Sequence, residues 1–215
     1  MSSHIQKQLV RLGFGVALAA VLLIGFAAGE AVAQKEPPTP FTGIPKVPKT
    51  LSLLGHGSVD GQVLAAATQG DAGQIDWIMA AGGNADEADK EGRTALMHAA
   101  MTNFAPVAQT LLSHNARTDL RDKLGDTALH WAAQSGSVAV LRLLLAVHPD
   151  VDAADSRGIT PLMLAAANNK PEAVRVLLQY HADPHKTDYT GRDALGWAAA
   201  YPRILTQLDT AMAAR

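Results

Sequence analysis

The chain contains no cysteine. Disulfides, thiolate zinc sites and cysteine nucleophiles are therefore excluded. The redox compartment stays open, because a chain without thiols cannot mispair in an oxidising one. Aromatic residues are scarce, at 5%, although hydrophobic residues make up 48%. The apolar content is thus carried by Ala, Leu and Val, which suits closely packed helices better than an all-β core. Neither sign of charge dominates: 18 Lys and Arg face 20 Asp and Glu, for a net charge of −2. That balance gives no electrostatic footprint for nucleic acid or an acidic membrane surface. Catalytic signatures are also missing. There is no Gly-rich phosphate loop, no Gly-x-Ser-x-Gly elbow and no His-Glu-x-x-His, and the serines and histidines are too scattered for a triad. The expectation is a chain that is not an enzyme and uses no cofactor and no metal.

What is present begins with a targeting pattern. Residues 1–13 are polar with two basic side chains, Lys7 and Arg11, and residues 14–29 carry no charge and are almost wholly apolar. Glu30 and then Ala31-Val32-Ala33 follow. A basic segment, an apolar segment and an Ala-x-Ala site are the three parts of a secretory signal peptide. The expected cut lies after Ala33; losing Lys7, Arg11 and Glu30 with it changes the net charge from −2 to −3. The alternative is an uncleaved membrane anchor within residues 12–33, although the uncharged run falls slightly short of the roughly 20 residues a spanning helix needs. Either way the rest of the chain is expected outside the cytoplasm, in the periplasm, free or anchored to the inner membrane. Residues 34–57 read as a linker. Five prolines fall within 34–50, each lacking a backbone donor and fixing φ.

The remainder repeats. Gly92, Gly125, Gly158 and Gly191 are spaced 33 residues apart, and each opens a matching stretch ending in an alanine pair. Gly125-Asp-Thr-Ala-Leu-His-Trp-Ala-Ala133 and Gly158-Ile-Thr-Pro-Leu-Met-Leu-Ala-Ala166 show the pattern. A fixed period of this length signals a solenoid. Thr94, Thr127, Thr160 and Asp193 are placed to cap a first helix through their side-chain oxygens. Pro161 sits where a first helical turn tolerates it. The alanine pairs let neighbouring helices approach closely, and Leu111/Leu112, Leu143/Leu144 and Leu177/Leu178 supply the buried stripe of a second helix. These stretches closely resemble the ankyrin family, whose repeat opens Gly-x-Thr-Pro-Leu-His-x-Ala-Ala. The resemblance covers about residues 58–215 and implies an all-α solenoid of stacked helix-turn-helix units with projecting β-hairpin loops. The units are an N-terminal cap (58–91), repeats 92–124, 125–157 and 158–190, and a C-terminal cap (191–215). In the first unit the Gly-x-Thr opening is missing. In the last, Pro202 replaces a glycine, and Ile204, Leu205, Leu208 and Met212 fall on a shifted helical face. His148 precedes Pro149, so the turn after that second helix is expected to differ from those at Asn115 and His181.

The residues that attract chemistry have quieter explanations. His181 and His185 are separated by Asp183-Pro184, which breaks the helix a metal pair would need. His130 stands at the family's histidine position and is read as structural. Trp131 and Trp197 precede alanine pairs and are read as core. Asp86-Glu87-Ala88-Asp89 lacks the alternating oxygens of a calcium loop and is read as a solvated connection.

Function then falls to the surface. The resemblance implies partner contacts at the loop tips: Lys90, Glu91 and Arg93; Lys123, Leu124 and Asp126; Ser156, Arg157 and Ile159; Tyr189, Thr190 and Arg192. It also implies contacts on the concave face of the first helices, at Met101, Gln134, Asn168 and Tyr201. Leu124, Ile159 and Tyr189 stand out, because apolar side chains at loop tips suit a hot-spot cluster. The expected partner is another protein, bound by a monomer acting as an interaction module. An envelope scaffold anchored through residues 12–33 and an enzyme of unrecognised type are the rival readings.

Overall fold

The computed structural model describes residues 61–213. The targeting segment, the linker and residues 58–60 lie outside them, as do residues 214–215.

Among the described residues ten helices follow in order: α1 Gln62–Gln69, α2 Ala72–Ala80, α3 Ala95–Thr102, α4 Ala105–Ser113, α5 Ala128–Ser135, α6 Val138–Ala146, α7 Pro161–Ala167, α8 Pro171–Gln179, α9 Ala194–Trp197 and α10 Pro202–Ala213. They form five antiparallel pairs. First helices pack along a row α1–α3–α5–α7–α9, and second helices along a row α2–α4–α6–α8–α10. No helix among the described residues is long and apolar enough to cross a membrane.

Local chemistry explains where each helix begins. The Thr94 hydroxyl accepts the Met97 N–H at 3.3 Å, that of Thr160 accepts Met163 N–H at 3.4 Å, and the Asp193 carboxylate accepts Gly196 N–H at 2.9 Å. Pro161 and Pro171 occupy first-turn positions, where no N–H is needed. The helices are only four to twelve residues long, too short to persist alone. Burial between neighbours holds them. Leu96, Leu111, Leu129, Leu141, Leu144, Leu162 and Leu177 are essentially inaccessible, as are Ala99, Ala100, Ala132, Ala133, Ala165 and Ala166. Each buried leucine contributes about 1.5–3 kcal/mol, so stacking and not any single repeat supports the fold.

One expectation changes. His148 takes the same left-handed φ (54°) as Asn115 (60°) and His181 (67°), so Pro149 does not redirect that turn. Pro149 changes the hydrogen bonding instead. The Ala116 and Ala182 N–H groups bond back to Leu111 and Leu177 at 3.0 Å, whereas a proline at the equivalent place has no N–H to offer. The loops between pairs are hairpin turns with almost no strand: one isolated bridge, Ala88 to Thr94, occurs among the described residues.

Candidate functional site

Those loops form a row of fingers along one edge, all built on one plan. In the first, Asp89 N–H bonds to Arg93 O at 2.9 Å and Gly92 N–H returns to Asp89 O at 2.9 Å. Asp122, Asp155 and Asp188 repeat both bonds with Asp126 and Gly125, Ile159 and Gly158, and Arg192 and Gly191. The glycines sit at φ 80–85°, which favours a residue without Cβ. The aspartate carboxylate then fills the loop. Asp122 Oδ1 accepts N–H groups from Leu124 and Asp126, Asp155 Oδ1 from Arg157 and Ile159, and Asp188 Oδ1 from Thr190 and Arg192, at 2.8–3.0 Å.

The second carboxylate oxygen finds a donor nine residues on. Asp89 Oδ2 meets His98 Nε2 at 3.0 Å, while Asp122 and Asp188 accept the indole N–H of Trp131 and Trp197 at 3.1 Å. The third repeat has Leu164 at that place, and Asp155 is instead held by the guanidinium of Arg157 at 2.9 Å. Trp131 and Trp197, read from sequence as core, pack partly buried against it and also tie the second and fourth fingers to the first helix that follows each. The Thr190 hydroxyl, with the surrounding backbone N–H groups, holds the Asp188 carboxyl down at about 2. One backbone bond links each finger to the next: Lys123 N–H to Glu91 O, Ser156 N–H to Leu124 O and Tyr189 N–H to Arg157 O.

On this scaffold the expected contact residues divide. Lys90, Glu91, Lys123, Leu124, Ser156, Arg157, Tyr189, Thr190 and Arg192 are exposed, with Leu124 at 51% and Tyr189 at 79%. Asn168 is exposed on the first-helix row, where Met101, Gln134 and Tyr201 are partly so. Asp126 and Ile159 are not tip residues. They are 4% and 2% exposed, because in these two fingers the side chain after the glycine turns toward the next repeat. Ile159 packs with Met163, Leu164 and Trp197. At the same place Arg93 is partly buried, with its guanidinium 4.9 Å from the centre of the Trp131 ring and 4.0 Å from Asp122. Arg192 lies over Trp197, 4.0 Å away.

His130 is fully buried and structural. Its Nδ1 accepts Thr127 N–H at 3.2 Å, so Nε2 carries the proton and donates to Ile159 O at 3.1 Å, joining two repeats. Burial pushes its pKa down, outweighing the opposing pull of that carbonyl and of Asp155. No group of three or more metal-ligating side chains occurs among the described residues.

Asp126 is the strained member of the site. One carboxylate oxygen is buried without a hydrogen-bond partner. Burial first, then the charges of Asp122 and Asp155, raise its pKa to about 6, against partial relief from Arg157 and Arg121. The folded protein thus takes up a proton that the unfolded chain releases near pH 4, and stability falls as pH rises between those values. Asp126→Asn removes the ionisation and is expected to stabilise the fold by about 1–3 kcal/mol at pH 7.5. The gain should shrink steadily as pH is lowered from 6 toward 4. Urea unfolding at both ends of that window checks it; an equal gain at each pH would refute the burial of a charge here.

A family model described as ankyrin repeats (three copies) matches residues 63–155 and 141–209, more than half of the chain. No curated protein matches it. Ankyrin repeats generally mediate protein–protein interaction and are typically not catalytic. Five stacked helix pairs, fingers spaced by the glycine period and this match agree, and the chain belongs to the ankyrin-repeat family.

Proposed function

We propose that this protein binds another protein along its finger row, with Leu124 and Tyr189 as apolar anchors and Lys123, Ser156, Arg157, Thr190 and Arg192 as the polar surround. The observation that carries this reading is the exposure of two large apolar side chains, 51% and 79%, on loops whose backbones are otherwise tied down bond by bond. Folding gains nothing from an apolar side chain in water, whereas a partner that covers it gains transfer energy. Because each finger is braced by its aspartate, little ordering cost remains at binding. The partly exposed first-helix residues Met101, Gln134 and Tyr201, with exposed Asn168, extend the same surface.

The basic, apolar and Ala-x-Ala pattern of residues 1–33 supports export, and on that reading the proposed partner is a protein of the cell envelope. The mass of the protein recovered from the envelope separates the secreted form from an anchored scaffold: a start at Gln34 means secretion, and retention of Met1 means an anchor. For the surface, crosslinking in the native envelope identifies the partner. The Leu124→Ala/Tyr189→Ala double variant should then weaken its binding at least about 30-fold, as expected for two anchors worth 1 kcal/mol or more each, with an unchanged melting temperature. Unchanged affinity in that variant would dismiss the finger row as the contact.

A further inference from the structure

The second and third fingers meet at a junction unlike the others. The residue after the finger glycine is Arg93, Ile159 or Arg192 in three fingers and Asp126 in the second. Arg93 brings a positive charge to Asp122 of the following finger, 4.0 Å away. Asp126 brings a negative charge to the same place one repeat on, beside the fully buried carboxylate of Asp155. Asp122 of its own finger adds a third carboxylate. Asp122 and Asp155 are satisfied by backbone N–H groups. Asp126 is 4% exposed, and its Oδ1 has no hydrogen-bond partner.

The brace of the third finger differs as well. In the second and fourth, an indole N–H holds the second carboxylate oxygen. Leu164 stands at that place in the third, so Asp155 relies on Arg157 Nε and Nη2 at 3.0 and 2.9 Å. An indole is fixed by the packing of its helix. The Arg157 side chain is 59% exposed, and a flexible guanidinium is drawn to any unpaired carboxylate within reach. The other charged groups at the junction are less mobile. Arg121 Nη1 is committed to the carbonyls of Gly125 and Ala154 at 2.9 and 2.6 Å. His130 on α5, near Asp155, is buried and bonded through both ring nitrogens.

From this arrangement we infer that the junction of the second and third fingers is a proton-operated hinge. With a proton on Asp126, Arg157 stays on Asp155 and the Ser156 N–H keeps its 3.1 Å bond to Leu124 O. Ionised Asp126 competes with Asp155 for Arg157, and the third finger parts from the second more readily. Leu124 stands before the hinge. Tyr189 stands beyond it, tied to the third finger through its N–H bond to Arg157 O. Opening therefore alters the spacing of the two apolar anchors, and the row is more rigid in acid than at neutral pH. The meaning of this for a partner rests on the finger-row reading; the hinge itself does not.

The sign and size follow from linkage. Burial and the neighbouring carboxylates raise the Asp126 pKa to about 6 in the closed junction, and in an opened, hydrated one it returns toward its ordinary value near 4. The closed form thus holds the proton to higher pH. Opening becomes easier as pH rises from about 4 to about 6 and levels off above. Between pH 5 and pH 7.5 the opening equilibrium rises about tenfold.

Hydrogen exchange on the intact protein reads the hinge without a partner. Protection of the Ser156 amide, corrected for the intrinsic pH dependence of exchange, should fall about tenfold from pH 5 to pH 7.5. The Lys123 and Tyr189 amides make the corresponding bonds at the first and third junctions and should keep their protection. Asp126→Asn should hold the Ser156 amide at its high protection at both pH values. Carbon NMR of wild-type protein supplies a measurement that needs no variant: the Asp126 carboxyl should titrate at about 6. Unchanged Ser156 protection, an equal loss at all three amides, a loss that persists in Asp126→Asn, or an ordinary carboxyl titration near 4 would each overturn the hinge. Failure of the finger-row reading shows itself elsewhere, as unchanged partner affinity in Leu124→Ala/Tyr189→Ala, and leaves the Ser156 result standing.

Discussion

Ala133→Asp will destroy the stack, lowering the melting temperature by at least about 10 °C or abolishing a cooperative transition altogether. Ala133 is fully buried on α5, and α5 lies between α3 and α7 in the most extensively packed part of the first-helix row. A carboxylate there must either stay charged without water or take up a proton and remain unpaired; each costs several kcal/mol. At about 2–4 °C per kcal/mol for a domain of this size, the expected shift follows. Larger side-chain volume adds to it, since the alanine pair is small in order that backbones approach. Ala199→Asp supplies the control. Ala199 is the equivalent alanine two repeats later, but it lies exposed because no helix pair follows. The same substitution there should cost less than about 1 kcal/mol. Circular dichroism melts of the two variants decide the matter, and similar losses in both would show that the stacking face has been misplaced.

That contrast shows where the sequence was legible. The 33-residue glycine period located the helix pairs, because a repeating unit that cannot bury its own apolar face must stack on its neighbours. Caps were readable too: Thr94, Thr160 and Asp193 hold helix starts by short-range bonds that depend only on residues three positions away. The finger aspartates were visible as a periodic column, but not what their second oxygens do. That depends on a donor nine residues on, His98, Trp131 or Trp197, and the same column holds a leucine in the third repeat. The acidic run 86–89 was read as solvated, yet Asp86 accepts the Arg117 N–H of the next repeat at 2.8 Å and Asp152 does the same for Asp183 at 2.9 Å. Asp126 and Ile159 were the clearest misses. The column after the glycine holds Arg93, Asp126, Ile159 and Arg192, a mixture with no apolar signature. Its burial is set by the next repeat, as the contacts of Arg93 with Trp131 and of Ile159 with Trp197 show. Sequence spacing reports faces of one helix, whereas contacts between repeats need coordinates.

The second large effect separates two costs that ordinarily come together in a glycine substitution. Gly125 and Gly191 hold the same place in their fingers, at φ 85° and 81°. A Cβ in the left-handed region costs about 1 kcal/mol at either position. The surroundings differ. A Cβ on Gly125 would lie 2.6 Å from the backbone nitrogen of Ser156 and 3.2 Å from the carbonyl carbon of Asp155, whereas one on Gly191 would meet nothing within 4 Å. Backbone cannot rotate aside as a side chain does, so Gly125→Ala must push the third finger away and break the Ser156 N–H to Leu124 O bond, 3.1 Å long. Gly191→Ala is accordingly expected to cost about 1 kcal/mol in urea unfolding, and Gly125→Ala about 1–3 kcal/mol more. Hydrogen exchange should report the same asymmetry locally, with protection of the Ser156 amide lost in Gly125→Ala and kept in Gly191→Ala. Equal destabilisation by the two variants would mean that the fingers do not brace one another. The rigid finger row, on which Leu124 and Tyr189 depend for their presentation, would then lose its physical basis.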